Sequence, residues 1–125
     1  MRGVLRLILS AIVLVTVSAT AHAGFNPFGA AGLPLNKQDY RDIAAASDPL
    51  LRDDSVAIGT TRDWNNAKSG NHGTVKLLKR YEENVQGTNL PCRDLEYVVE
   101  VKGQADPYNL VLTRCKASDG SWKIH

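Results

Sequence analysis

Cysteine, histidine and unbalanced charge are all scarce in this chain, and each scarcity closes off a class of chemistry. Two cysteines occur in 125 residues, Cys92 and Cys115. They form no CxxC motif and have no third or fourth ligand cluster beside them, which argues against a metal site or a thiol redox pair. Of three histidines, His22 precedes an expected cleavage site, His125 is the last residue, and His72 lies in a Gly/Asn-rich stretch. With His72 as the one plausible base, no Ser-His-Asp constellation can be assembled. The acidic pairs Asp53-Asp54 and Glu82-Glu83 are neighbours in sequence. Adjacent side chains point apart on a strand, so neither pair makes a carboxylate dyad by itself. Ser69 to Gly73 is glycine-rich but joins two expected strands, so it reads as a turn and not as a phosphate loop. No enzyme activity, cofactor or metal is expected.

Charge gives no direction either. Arg2 and Arg6 are two of the fifteen cations, and the thirteen that remain beyond residue 23 face thirteen carboxylates. A neutral domain gives no argument from bulk charge for nucleic-acid binding. Only one long apolar run exists, Leu7 to Val15, and it is too short to span a bilayer core of about 30 Å. Arg2 and Arg6 before it and Ala21-His22-Ala23 after it spell a secretory signal, with cleavage before Gly24. No transmembrane segment and no lipid anchor are expected, and the location is periplasmic or secreted.

Residues 24–35, rich in Gly, Ala and Pro, read as a flexible lead-in. Phe25 and Phe28 are its aromatic groups, and docking on the domain is favoured over docking on a partner. A single small domain then runs over 36–125. Asn36 is an expected helix N-cap with Asp39 at N3, a weaker answer than Glu or Gln in a full capping box, and Leu35 a staple against Tyr40. Tyr40, Ile43 and Ala44 share a helical face. The stripe fades at Ser47, and Pro49 disfavours helix at Asp48, so the helix is placed at about 36–48.

From about 56–125 the pattern is β. Strands are expected at Thr60–Trp64, Thr74–Tyr81, Arg93–Val101, Tyr108–Lys116 and Trp122–Ile124. In the second, Val75, Leu77 and Tyr81 would face one way and Lys76, Leu78 and Arg80 the other. Turns fall at Asn65–Gly73, Asn84–Pro91, Gly103–Pro107 and the Asp119-Gly120 dipeptide. The fold class is mainly β (α+β): a small antiparallel β-meander of about five strands, one preceding helix and one disulfide. A hairpin centred on Gly103–Pro107 sets Cys92 opposite Cys115, Leu95 opposite Leu112 and Tyr97 opposite Leu110. Opposed strand positions lie within disulfide reach, and export supplies an oxidising compartment. Strict alternation puts the cysteines on the face away from Leu95 and Tyr97, unless a bulge intervenes.

Gly59, Trp64-Asn65, Ser69-Gly70-Asn71, Gly73-Thr74-Val75, Tyr81, Cys92-Arg93, Tyr97, Cys115-Lys116 and the closing Asp119-Gly120-Ser121-Trp122-Lys123-Ile124 form a pattern. It resembles the C-terminal domain of the seventeen-kilodalton surface antigen family of Gram-negative bacteria. Typical members carry a lipobox cysteine and a glycine zipper before this domain, and neither is seen here. The resemblance implies an envelope location and a small β-domain, and it brings no catalytic residues.

The expectation is therefore a non-enzymatic envelope protein that binds another protein or an envelope polymer, with no nucleic-acid partner. The candidate surface is the Asn65–Gly73 loop with Trp64 at its base: Trp64, Asn65, Asn66, Ser69, Asn71 and His72. Trp64 and Trp122 otherwise read as core. The alternative is an inhibitor of a cell-wall hydrolase such as lysozyme, which would insert a loop into the enzyme's cleft.

Overall fold

Asn26 opens the part of the chain that the computed structural model describes, residues 26–125. The expected signal peptide over 1–23, the cleavage point before Gly24, and Phe25 lie outside the described residues. The segment expected to be a flexible lead-in is, from Asn26 on, part of the domain. Asn26 caps a single helical turn, α1 (Pro27–Ala30), by accepting from the Gly29 N–H at 3.0 Å. Pro27 pre-sets the first helical φ. The turn drives Phe28 into the core, where it is 4% exposed and meets the Tyr97 ring edge-on at 5.5 Å. Burying one phenylalanine is worth about 1.5–3 kcal/mol, enough to order a short segment that has no pattern of its own.

The main helix, α2 (Lys37–Arg52), starts as expected at Asn36. Asp39 completes the capping box after all: it accepts from the Asn36 N–H while Asn36 accepts from the Asp39 N–H, both at 2.9 Å. The helix does not stop before Pro49 but runs through it to Arg52. Proline in a helix interior costs about 3 kcal/mol. Continuing the helix buries Leu50 and Leu51, at 0% and 4% exposure, and two leucines return about 3–6 kcal/mol. The buried face is Asp39, Ile43, Ala46, Ser47, Leu50 and Leu51. Ala44, expected on that face, is exposed, and Ser47, where the stripe was expected to fade, turns inward.

Five strands follow in one antiparallel sheet, ordered as they occur: β1 (Thr61–Asn65), β2 (His72–Val85), β3 (Thr88–Glu100), β4 (Tyr108–Lys116) and β5 (Trp122–Ile124). Helix α2 packs on one face of the sheet, over β1 and β2. That face carries Trp64, Val75, Leu77, Leu95, Tyr97, Val99 and Leu112 in the core. The β3–β4 register is the expected one, with Cys92 opposite Cys115, Leu95 opposite Leu112 and Tyr97 opposite Leu110. It runs without a shift, so the cysteines lie on the face away from the helix.

A bulge at Leu78 changes β2. The pairing steps from Leu77↔Leu95 to Lys79↔Asp94. One extra residue exchanges the two faces of everything beyond it. Tyr81, expected to share a face with Val75 and Leu77, goes to the opposite face. There it donates to Asp94 at 2.9 Å, and Thr113 donates to the same carboxylate oxygen at 2.7 Å. Burial, and then the Asp94 carboxylate, raise the Tyr81 phenol above its ordinary pKa. Arg80 comes round to the helix face in exchange.

Candidate functional site

The loop between β1 and β2 was the expected binding surface, but most of it turns inward. Gly70 adopts φ +78°, a conformation favourable to glycine, and its N–H closes onto the Asn66 carbonyl at 2.8 Å. This tight turn aims three loop side chains at Asp39 on the first turn of α2. Asn66 Nδ2 donates to one Asp39 oxygen at 2.8 Å, and Ser69 Oγ donates to the same oxygen at 2.7 Å. Asn71 Nδ2 donates to the other oxygen at 2.9 Å, alongside the Asn36 N–H. Asp39 is fully buried, with no cation bonded to it among the described residues. Burial pushes its carboxyl pKa up, but these four donors outweigh burial and hold it below the ordinary value.

Asn66 and Asn71 are thus buried at 5% and 4% exposure, and Ser69 is half-buried. Trp64 is core, as its bulk led us to expect. A Cβ at Gly73 would stand 2.8 Å from Trp64 Nε1 and collide with the Val98 carbonyl, so glycine lets the indole lie across the strand. Of the six candidates only Asn65 and His72 are exposed. His72 Nε2 lies 2.7 Å from Glu100 on the neighbouring strand. With Trp64 they border a shallow depression of about 440 Å³ that also takes in Asp63, Thr74 and Glu100.

The deeper recess lies at the other end of α2. Arg80, Arg93 and Arg114 stand opposite one another across β2, β3 and β4, all on the helix face. Like charges directly opposed destabilise a sheet. Part of that cost is met by the segment after α2, whose Val56 carbonyl accepts from Arg80 at 2.7 Å and whose Asp54 carboxylate accepts from Arg93 at 2.8 Å. Arg93 also lies over the Trp122 ring, 5.1 Å from its centroid. A cleft of about 490 Å³ opens here, lined by Arg52, Asp54, Arg93, Lys116, Asp119 and Trp122. A second of about 410 Å³ shares Asp54, Pro91 and Arg93 and reaches Arg80. The sequence carried no signal for this row, because strict alternation put Arg80 on the wrong face.

Cys92 and Cys115 are joined as a disulfide, with Cα atoms 4.1 Å apart. Glu83 comes within 4.8 Å of the sulfurs, but sulfur held in a disulfide has no thiolate to give a metal.

No protein-family profile matches the chain, and no solved structure gives a significant match. Two proteins of Rickettsia bellii, each named 17 kDa surface antigen, are 30% identical to it over 112 residues, or 89% of this chain. The chain resembles the 17 kDa surface antigens. A Rickettsia felis protein of the same name is 30% identical over 91 residues, covering 72% of this chain. The chain spans 65% of the length of the Rickettsia bellii surface antigens and 52% of the Rickettsia felis one. The residues that carry the surface-antigen pattern are fastenings of the fold. Ser69 and Asn71 hold Asp39, Gly73 underlies Trp64, Tyr81 binds Asp94, the cysteines pair, and Arg93 stacks on Trp122.

Proposed function

We propose that this is an exported, non-enzymatic protein of the cell envelope that works by binding a protein or an envelope polymer. The observation that carries the reading is the chemistry of the open cleft. Arg52, Arg93, Lys116 and Trp122 line it beside Asp54 and Asp119, a set of charged groups around an indole that suits holding a charged ligand. Several side chains with catalytic potential are committed to the fold: Asp39, Ser69, Tyr81, Asp94 and both cysteines. Export rests on the signal pattern over 1–23 and on a disulfide, which persists outside reducing compartments. The name surface antigen, borne by the relatives, agrees with an envelope location. No helix among the described residues is long and apolar enough to cross a membrane. Cell fractionation with co-sedimentation of the oxidised protein on purified envelope tests this reading. Recovery of the protein in the cytosol, in reduced form, would sink it.

A second reading, a cell-wall hydrolase inhibitor, rests on a different feature. Residues 82–91 of the β2–β3 hairpin extend past the strands that flank them, with a two-residue tip at Gln86-Gly87. Such an arm suits insertion into an enzyme cleft. Full lysozyme activity at equimolar protein would count against it.

A further inference from the structure

Arg93 is 5% exposed, and its guanidinium is unevenly served. Nη1 donates to the Cys92 carbonyl at 2.8 Å, and Nη2 donates to a single Asp54 oxygen at 2.8 Å. Nε shares an edge of the fork with Nη2. It is buried and has no hydrogen-bond partner among the described residues. An arginine fork is built for two parallel bonds to one carboxylate or phosphate. Asp54 makes half of that arrangement, and its own side chain is 83% exposed against 6% for that of Arg93. It is a loosely held internal anion on a firmly held cation.

The surroundings favour an external anion in its place. Arg80 and Arg114 flank Arg93, and the Nε of each also lacks a partner among the described residues. Among the described residues, Asp54 is the one carboxylate within salt-bridge distance of the row. Nearby Asp53 and Asp119 each commit one oxygen to a serine of their own turn, Ser55 and Ser121, and the other Asp119 oxygen lies 4.0 Å from Lys123. Trp122, with the Arg93 guanidinium over its ring, lines the cleft together with Lys116 and with Arg52, which is paired with Asp48 at 2.7 Å. The volume of about 490 Å³ is within the range of small-ligand sites. A sugar ring matches this lining: its C–H face lies on an indole, its hydroxyls meet polar rims, and an acidic substituent reaches the arginine. A nucleic acid would need an unbroken track of cations, and here Asp54 and Asp119 interrupt it.

We infer that the Arg93–Trp122 cleft binds an acidic saccharide of the envelope, whose carboxylate or phosphate replaces Asp54 on the Arg93 fork. This rests on the envelope-binding reading and gives it a ligand class and a site. The test titrates the exported, oxidised protein with peptidoglycan sacculi, with lipopolysaccharide and with a neutral glucan. The first offers sugar-borne carboxylates and the second sugar phosphates, so the tighter of the two identifies the source of the anion. Asp54→Asn removes the internal competitor and tightens binding about 3–10-fold, while Lys116→Glu weakens it by a similar factor. A purely structural ion pair would give the opposite or no effect for Asp54→Asn. Unchanged or weaker binding by a folded Asp54→Asn protein overturns the inference, as does equal binding of the neutral glucan. If all variants bind an envelope polymer equally, the cleft assignment fails and the envelope reading stands. If the wild-type protein binds no envelope component, both fail.

Discussion

The two ends of helix α2 solve the same problem, a buried charge, in opposite ways. At the N-terminal end, Asp39 is surrounded by neutral donors, and both of its oxygens are doubly bonded to them. At the C-terminal end, Arg80, Arg93 and Arg114 face each other across three strands, and each keeps a buried Nε without a partner among the described residues. A saturated charge fastens the fold. An under-served charge costs stability and stays available to a ligand.

That contrast can be broken or sharpened by measurement. Asp39→Ala should have the largest effect. It strands donors from Asn36, Asn66, Ser69 and Asn71, so urea unfolding should show a loss of about 3–5 kcal/mol. A loss below about 1 kcal/mol would show that the clamp does not fasten the fold. Reducing Cys92–Cys115, which closes a separation of 23 residues, should cost about 2–4 kcal/mol in the same assay. Both residues lie on the face away from the helix, so the Asp39 clamp should survive reduction in a protein that remains folded.

Acid should act at the clamped end next. The Asp39 pKa is depressed in the folded state, so between its folded and unfolded values the unfolded chain binds more protons. The stability it contributes is therefore complete above the ordinary aspartate value and is lost as pH falls through the lowered one. Asp39→Asn should flatten that part of the stability–pH curve, and a curve identical to wild type would assign the acid transition elsewhere. The smallest effect, and of opposite sign, belongs to the other end. Arg114→Met removes one of three opposed cations and should raise stability by about 0.5–1 kcal/mol. A clear loss would mean the row is as well satisfied as Asp39.

How much of this was legible in the sequence depended on distance along the chain. Asn36 with Asp39, and the alternation of Leu95, Tyr97 and Val99, are written in neighbouring residues. So was the hairpin pairing of Cys92 with Cys115, because one short turn sets it. The 17 kDa surface-antigen resemblance fell on real fastenings, yet it did not tell which way they pointed. The Asn66–Asn71 loop has the composition of a solvated turn. Nothing within it announces a carboxylate some 30 residues away that would draw its side chains inward. Phe28 sits in a segment without periodicity, and only its burial against Tyr97 explains why it is ordered.

The sequence by itself determined the periodic and the local: the five-strand meander, the helix start, the disulfide and its register. These follow from side-chain alternation and capping, which act over a few residues. Tertiary structure alone decided that α2 passes through Pro49, because two buried leucines offset a missing hydrogen bond. It alone inserted the bulge at Leu78, which brings Arg80 into line with Arg93 and Arg114. It alone turned one loop of polar residues into a clamp and left the opposite end open, because where a charge finds its partners is settled by packing and not by sequence order.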